Sequence, residues 1–193
     1  GIVRCMNDTG RMLKELQATS LGQYILRQAA EVSTPLAAAL VDNLQRSFKV
    51  ALADTATRDN ADVHFMCKAQ LLVAQLYRRF QGAEGQEQFR FSDADQFTVF
   101  SDSVLPAVLW SAGVLRVGDG LAAKIDGGEA LSAGAEEEVA LRAAAVRAGD
   151  MIVKEADHAF TAMDLSFYIW GRMSKEEGMK RIPRHIVKDT VMY

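Results

Sequence analysis

The chain has 193 residues, of which 49% are hydrophobic and 24% charged, and its formal net charge is -3. That is enough apolar sequence to bury one sizeable core, and it is short for two. No run approaches the length of a membrane span. Nucleic-acid backbone binding is not expected, because it needs a basic stripe or patch. The densest basic group (Lys175, Lys180, Arg181, Arg184, Lys188) is diluted by Glu176, Glu177 and Asp189. Two cysteines, Cys5 and Cys67, in a chain of this length point to an intracellular, reducing compartment rather than a disulfide scaffold. The chain opens on Gly1 rather than a methionine, so a processed or incomplete product is expected; loss of an organellar (mitochondrial) transit peptide is one route to it.

Taken in order, Ile2 to Leu16 places Ile2, Met6, Met12, Leu13 and Leu16 at roughly helical spacing. A second helix is predicted over Ser20 to Glu31. Ser33-Thr34-Pro35 reads as a helix start, a capping hydroxyl followed by proline at the first helical position. The helix it opens carries the stripe Leu36, Ala39, Leu40, Asn43, Leu44 and Phe48. Ala53 to Ala61 reads as a polar loop. Asp62 then reads as the cap of a helix whose buried face is Val63, Met66, Ala69, Val73, Leu76, Tyr77 and Phe80, expected to pack against Val108, Leu109 and the helix around Val139 to Ile152. Gln81 to Gln88 is a surface loop.

Gln96 to Gly113 is apolar on both flanks, yet it has Asp102 at its middle. A carboxylate between Phe100 and Leu105 is costly to bury unless it is bonded. Pro106 favours the first turn of a helix, so Ser101, Asp102 and Ser103 fall where the chain turns into one. Two readings follow: one of the three caps that helix, or Asp102 is a catalytic carboxylate in a recessed pocket. Spacing alone favours the cap.

Further on, Gly118-Asp-Gly120 is a turn, and Leu121 to Ile125 a short helix ending in Gly127-Gly128. Glu136, Glu137 and Glu138 lie in the first turn of a long helix reaching about Asp157, where they suit its dipole. Thr161 to Met173 is an aromatic helix, and Ser174 with Glu177 has capping-box spacing for one more turn. Ile182 to Tyr193 alternates partly and reads as extended. The fold class predicted over residues 1–193 is a single all-α domain.

His64, His158 and His185 with the two cysteines show no metal-ligand spacing, so neither metal nor cofactor is expected. His64 and His158 read as satisfied or solvated. Glu138 and Arg142, four apart, read as an intrahelical ion pair. Trp110, Tyr168 and Trp170 read as core before they read as a base-stacking cage.

Several segments in order resemble the queuosine salvage protein family. Phe100-Ser-Asp-Ser-Val-Leu-Pro-Ala-Val-Leu109 is similar to the family's F-A-D-Y-R-x-P-Q-V-L. Gly113-Val-Leu-Arg116 and the segment from Leu131 to Arg142 are similar to its G-x-L-x-Y-S and G-x-x-x-E-x-E-I-R. Phe65-Met-Cys-Lys-Ala-Gln70 resembles F-Y-K-R-A-Q, Ser166 to Trp170 resembles D-x-x-L-W, and Ile182-Pro-Arg-His185 the closing P-x-H. The resemblance spans nearly all of this chain and the C-terminal part of a typical member. It implies a helical fold like that of DNA glycosylases, and an N-glycosylase acting on queuosine 5′-phosphate.

Carried over by position, Asp102 falls on the family's catalytic aspartate, a group that can serve a ribosyl carbon as nucleophile, base or electrostatic partner. The catalytic lysine falls on Cys67, with Lys68 one place along and about 100° away round the helix. The tyrosine and arginine after the aspartate have become Ser103 and Val104. Two further aspartate positions are Ser166 and Gly171, with Asp164 on another face. Phe100, Trp110 and Trp170 are the substrate-binding candidates. A carboxylate without its cationic partner is badly placed to stabilise a transition state. The reading that follows is an inactive, queuosine-salvage-like domain serving as a structural subunit among other proteins. The alternative is an active N-glycosylase using Asp102, with Lys68 as a second candidate and the rest of the family's length supplied elsewhere.

Overall fold

The computed structural model describes residues 1–30, 34–188 and 190–192, with the side chain of Ser174 left aside. About 60% of the chain is helical and the sheets are small, so the fold is mostly helical. Among the described residues no helix is long and apolar enough to cross a membrane. Backbone contacts divide the chain into two compact units: Gly1–Asp54 with Met66–Phe97 and Met192, and Thr55–Phe65 with Thr98–Val191.

In the first unit α1 (Ile2–Glu15) is followed by α2 (Leu21–Ala30), α3 (Ala37–Ser47), the single turn α4 (Lys49–Leu52) and α5 (Cys67–Phe80). The apolar spacing read for α1 forms the helix but leaves Ile2, Val3 and Met6 exposed. The α2 start is capped by Ser20, whose Oγ accepts from the Gln23 amide; Glu31 and Ser33 lie outside the described residues.

The local start signal at Thr34-Pro35 does not open α3. Its first amides, Ala37 and Ala38, donate instead to the two oxygens of Asp93 at 2.6 and 3.0 Å. A carboxylate 56 residues away does the capping that local reading assigned to a neighbouring hydroxyl. The buried face is Ala37, Leu40, Val41, Leu44 and Phe48. Leu36 and Ala39, read as part of the stripe, face solvent.

The start of α5 is corrected in the same way. Asp62 lies in a strand, and the helix begins at Cys67 after Met66, whose φ of 51° is left-handed. The Asp54 carbonyl accepts from the Met66 amide, and its carboxylate from the Cys67 amide. Of the apolar stripe, Ala69 and Val73 are fully buried, and Leu76 and Phe80 partly so. Within this unit α5 packs on α3, α4 and the 3-10 turn Glu87–Phe89, with the Phe80 and Phe89 rings 5.3 Å apart. Val108 and Leu109, the expected partners of that stripe, belong to the second unit's core.

The second unit opens with a hairpin where the sequence reads as loop: β1 (Thr55–Arg58) and β2 (Ala61–His64), antiparallel, with Arg58 opposite Ala61. The two turn residues Asp59 and Asn60 have φ of 49° and 62°, the doubly left-handed conformation that matches strand twist and that Asp and Asn tolerate. Only Ala56 of the eight strand residues is buried, so no apolar alternation announces the pair.

The helices of this unit are α6 (Val104–Ser111), α7 (Asp119–Asp126), α8 (Glu136–Glu155), α9 (Ala162–Lys175) and α10 (Glu177–Lys180). Asp119 and Gly120, read as a turn, are inside α7. α9 is capped by Thr161 in a capping box with Asp164. It continues through position 174 to Lys175, and Glu176 precedes α10; the Ser174 side chain, read as an extra cap, lies outside what is described. β3 (Ala130–Leu131) and β4 (Ile186–Val187) make a short parallel pair, which gives the tail its extended segment.

α6, α8 and α9 pack on one another around Val99, Leu105, Val108, Leu109, Ala145, Val153 and Ile169. Gly149 on α8 meets Val99 so closely that a Cβ there would lie 2.5 Å from Val99 Cγ1. The chain entering Asp102 therefore runs tight against α8.

Candidate active site

Asp102 is 5% exposed. Its Oδ1 accepts from the amides of Val104 at 2.8 Å and Leu105 at 3.1 Å. Ser103 already has helical dihedrals, φ -82° and ψ -18°. Asp102 is therefore the residue that caps α6, with Ser103 opening its first turn and Pro106 in that turn. Of the two readings of the sequence, the cap is the one present in the structure. Oδ1 is occupied with the cap, and Oδ2 accepts no hydrogen bond from another residue among those described.

Burial pushes the Asp102 carboxyl above the usual aspartate range; the Leu105 and Val104 amides and, more weakly, Arg142 oppose the shift without cancelling it. A desolvated carboxylate of this kind is a better proton acceptor than a solvated one.

The segment leading to it is clamped from two helices. On one side the Phe100 amide donates to Ser166 Oγ at 3.0 Å, and Ser166 in turn donates to the Ala162 carbonyl within α9. The Phe100 and Phe167 rings meet edge to face at 5.6 Å. On the other side Ser101 Oγ donates to the Arg142 carbonyl at 3.0 Å, and Arg142 Nε donates back to the Ser101 carbonyl at 2.9 Å. Arg142 and Glu138 form a fully buried ion pair at 3.0 Å. Glu138 Oε2 also accepts from the Gly134 amide, and the guanidinium lies 3.9 Å from the centroid of the Phe65 ring. The intrahelical pair read from the sequence is present; its burial and its grip on Ser101 are additions. The signal for burial was available, since Val139, Leu141 and Ala145 surround the pair with apolar positions.

His185 is buried too, and desolvation lowers its imidazole to about 4, against a smaller opposing pull from Glu138 and with Arg142 adding to the fall. It is neutral at pH 7. It lines, with Ser103, Lys180, Ile182, Arg184, Ile186 and Val187, a cleft of about 450 Å³ that sequence reasoning missed.

The other candidates fare unequally. Phe100 is beside Asp102 and 1% exposed, packed in the core. Trp110 is half-buried in the last turn of α6, at the opposite end of that helix from Asp102. Trp170 is 44% exposed on α9. Lys68 is half-buried in the first turn of α5, in the first unit, and Cys67 beside it is buried. His64 Nδ1 bonds Thr55 Oγ1, and His158 is exposed; both agree with the satisfied or solvated reading. No group of His, Cys, Asp and Glu that could hold a metal ion occurs among the described residues.

Curated relatives share one description. A protein of Sphaerobacter thermophilus is 30% identical over 86% of this chain and 50% of its own length, and is named queuosine 5′-phosphate N-glycosylase/hydrolase. Proteins of Nematostella vectensis (27% identical, over 97% of this chain and 56% of its own) and Mus musculus (25%, over 94% and 54%) carry the same name. The chain spans about half the length of these relatives.

These names overturn the expectation of an inactive structural subunit. That expectation rested on substituted motif positions. The structure shows that a substituted position need not be an idle one: Ser166, standing at an aspartate position, holds the Phe100 amide in the segment that carries Asp102. The family model for the queuosine salvage protein matches residues 2–193, and the chain belongs to that family.

Proposed function

We propose that this chain carries the catalytic carboxylate of a queuosine 5′-phosphate N-glycosylase, and that Asp102 is that group. One observation carries the reading: a buried, desolvated carboxylate on the family's aspartate position, fixed through Oδ1 by two amides, whose Oδ2 accepts from no other residue among those described. The family likeness extends, in this reading, to a helical fold of the DNA-glycosylase kind. A reducing compartment fits the two free cysteines.

The chemistry asked of the site is hydrolysis of an N-glycosidic bond. The C1′–N bond breaks with its electron pair going to the base, and positive charge develops on the ribosyl C1′ and ring oxygen. A water oxygen bonds C1′, and Asp102 takes the proton that water gives up. The departing base gains a proton from solvent and Asp102 gives its own back to solvent, so the products are free queuine and ribose 5-phosphate and the carboxylate is restored. The carboxylate contributes twice: it stabilises the developing cation electrostatically, and its raised basicity suits it to accept the proton. Clamps on Phe100 and Ser101 hold it without rearrangement, which is how a preorganised charge lowers a barrier.

The test is to incubate the purified chain with queuosine 5′-phosphate and quantify queuine and ribose 5-phosphate. Equal amounts of both, lost in Asp102→Ala, are expected. Turnover that survives the substitution would remove Asp102 from the mechanism.

A further inference from the structure

A second hollow, of about 740 Å³, opens in the second unit between residues 115–118, Leu121 on α7 and the first half of α8. That is the size of a small-molecule pocket. Asp102 caps the start of α6, whereas Leu115 follows the end of that helix, whose 8 residues span about 12 Å. The hollow is therefore separate from the candidate active site. Its floor is apolar: Leu141 is 8% exposed, and Leu115, Val117 and Leu121 are half-buried. Ala144, three residues on along α8, is exposed and lines the hollow with a methyl group alone. A longer side chain there would cover the floor.

Charge on the wall is uneven. Glu136 and Glu137 line the hollow, but each is engaged by a cation from outside the lining. Arg58 bonds Glu136 at 3.1 Å, and Lys124 holds both oxygens of Glu137 at 2.9 and 2.8 Å. Arg116 adds an exposed guanidinium to the same wall. With the acids matched, the charge that the hollow offers is that of Arg116, and its complement is an anion. A guanidinium fork meets two oxygens of one oxyanion at once, while the floor beside it favours an apolar body.

We propose that this hollow binds a small amphipathic anion, an acyl or aryl carboxylate, with Arg116 on its charged head and Leu115, Val117, Leu121 and Leu141 against its apolar body. The site stands apart from the N-glycosidic chemistry at Asp102, and neither depends on the other.

Fluorescence titration of the purified chain tests it. The probes are anilinonaphthalene sulfonate, which joins an apolar ring system to one oxyanion, and phenylnaphthylamine, the same body without the charge. The sulfonate should fill one saturable site at least about tenfold more tightly than the amine, as expected for a charge-assisted bond. Decanoate should displace it where decanol does not. Arg116→Gln should weaken the sulfonate about tenfold and leave the amine unchanged. Ala144→Trp should weaken both probes by filling the floor. Both positions are exposed, and circular dichroism checks that each variant folds; should one fail, Arg116→Ala and Ala140→Trp read the same charge and the same floor. The absence of a saturable site, equal affinity for the two probes, failure of decanoate to displace the sulfonate, or undiminished sulfonate binding by either folded variant would overturn the proposal.

Discussion

Arg142 and Ser101 bond each other twice, side chain to backbone in both directions, at 2.9 and 3.0 Å and out of contact with solvent. The pair joins the middle of α8 to the residue before Asp102. Because Glu138 neutralises the same guanidinium, the charge is tolerated in the core and the clamp is fixed.

Removing one partner of that buried pair should be costly. Arg142→Met strips the buried Glu138 carboxylate of its cation, and a loss of about 3–5 kcal/mol in unfolding free energy is expected. The double replacement Glu138→Leu with Arg142→Met should recover most of it. Urea unfolding of the single and double variants measures both. A double variant as unstable as the single would show that the clamp on Ser101, rather than the stranded charge, dominates.

Gly149→Ala should destabilise the second unit by about 1–3 kcal/mol through overpacking. The new methyl would meet the branched, fully buried Val99 at 2.5 Å, and Val99 cannot swing away as a long flexible side chain would. The companion variant Val99→Ala should relieve the clash and make Gly149→Ala nearly neutral in that background. Thermal unfolding of the four-member cycle reports the coupling.

His185 predicts an acid-sensitive fold. Its folded pKa is depressed to about 4 from an ordinary 6.5. Between those values the unfolded chain binds a proton that the folded chain refuses. Stability contributed by the neutral ring is therefore complete above pH 6.5 and is lost as pH falls toward 4, by up to about 3 kcal/mol. His185→Gln should flatten the stability profile in that window. An unchanged slope between pH 6.5 and 4 would assign the acid sensitivity to other groups.

The parts of this fold legible in the sequence are those whose causes are local. α1, α8 and α9 follow from apolar spacing, the acidic first turn of α8 and the Thr161 cap. The starts of α3 and α5 were misread because their caps, Asp93 and Asp54, come from distant residues, and a local hydroxyl or acid nearby gave a false start signal. The hairpin escaped because its strands bury almost nothing, although Asp59-Asn60 is a turn signal in its own right. At the site, Asp102 was legible as a carboxylate in an apolar run at a helix start. Its clamps were not, since Ser101–Arg142 and Phe100–Ser166 span 41 and 66 residues. Substitutions at family positions were visible, but the structural use of Ser166 was not.

With Asp102 as the proposed base, the pH dependence of turnover should carry the imprint of its environment. Burial holds its pKa above the usual aspartate value, and a general base works only when deprotonated. The acid limb of kcat/KM should therefore fall at a higher pH than an ordinary aspartate would give. Arg142 lowers the Asp102 pKa, so a folded Arg142 variant should move that limb further upward. A limb at or below the ordinary value would deny Asp102 the role of base.

Asp102→Asn separates structure from chemistry in one variant, and it is the most direct test. The amide oxygen can still cap α6, while the desolvated charge is gone. Folded stability at pH 7 should therefore equal or exceed that of the parent, whereas Asp102→Ala, which loses the cap, should fall below Asp102→Asn by about 1 kcal/mol. Release of queuine from queuosine 5′-phosphate should drop at least about 10²–10³-fold in Asp102→Asn. Measured together, undiminished stability with lost turnover is the predicted result. A variant that is as stable as the parent and still releases queuine at the parent's rate would contradict the account.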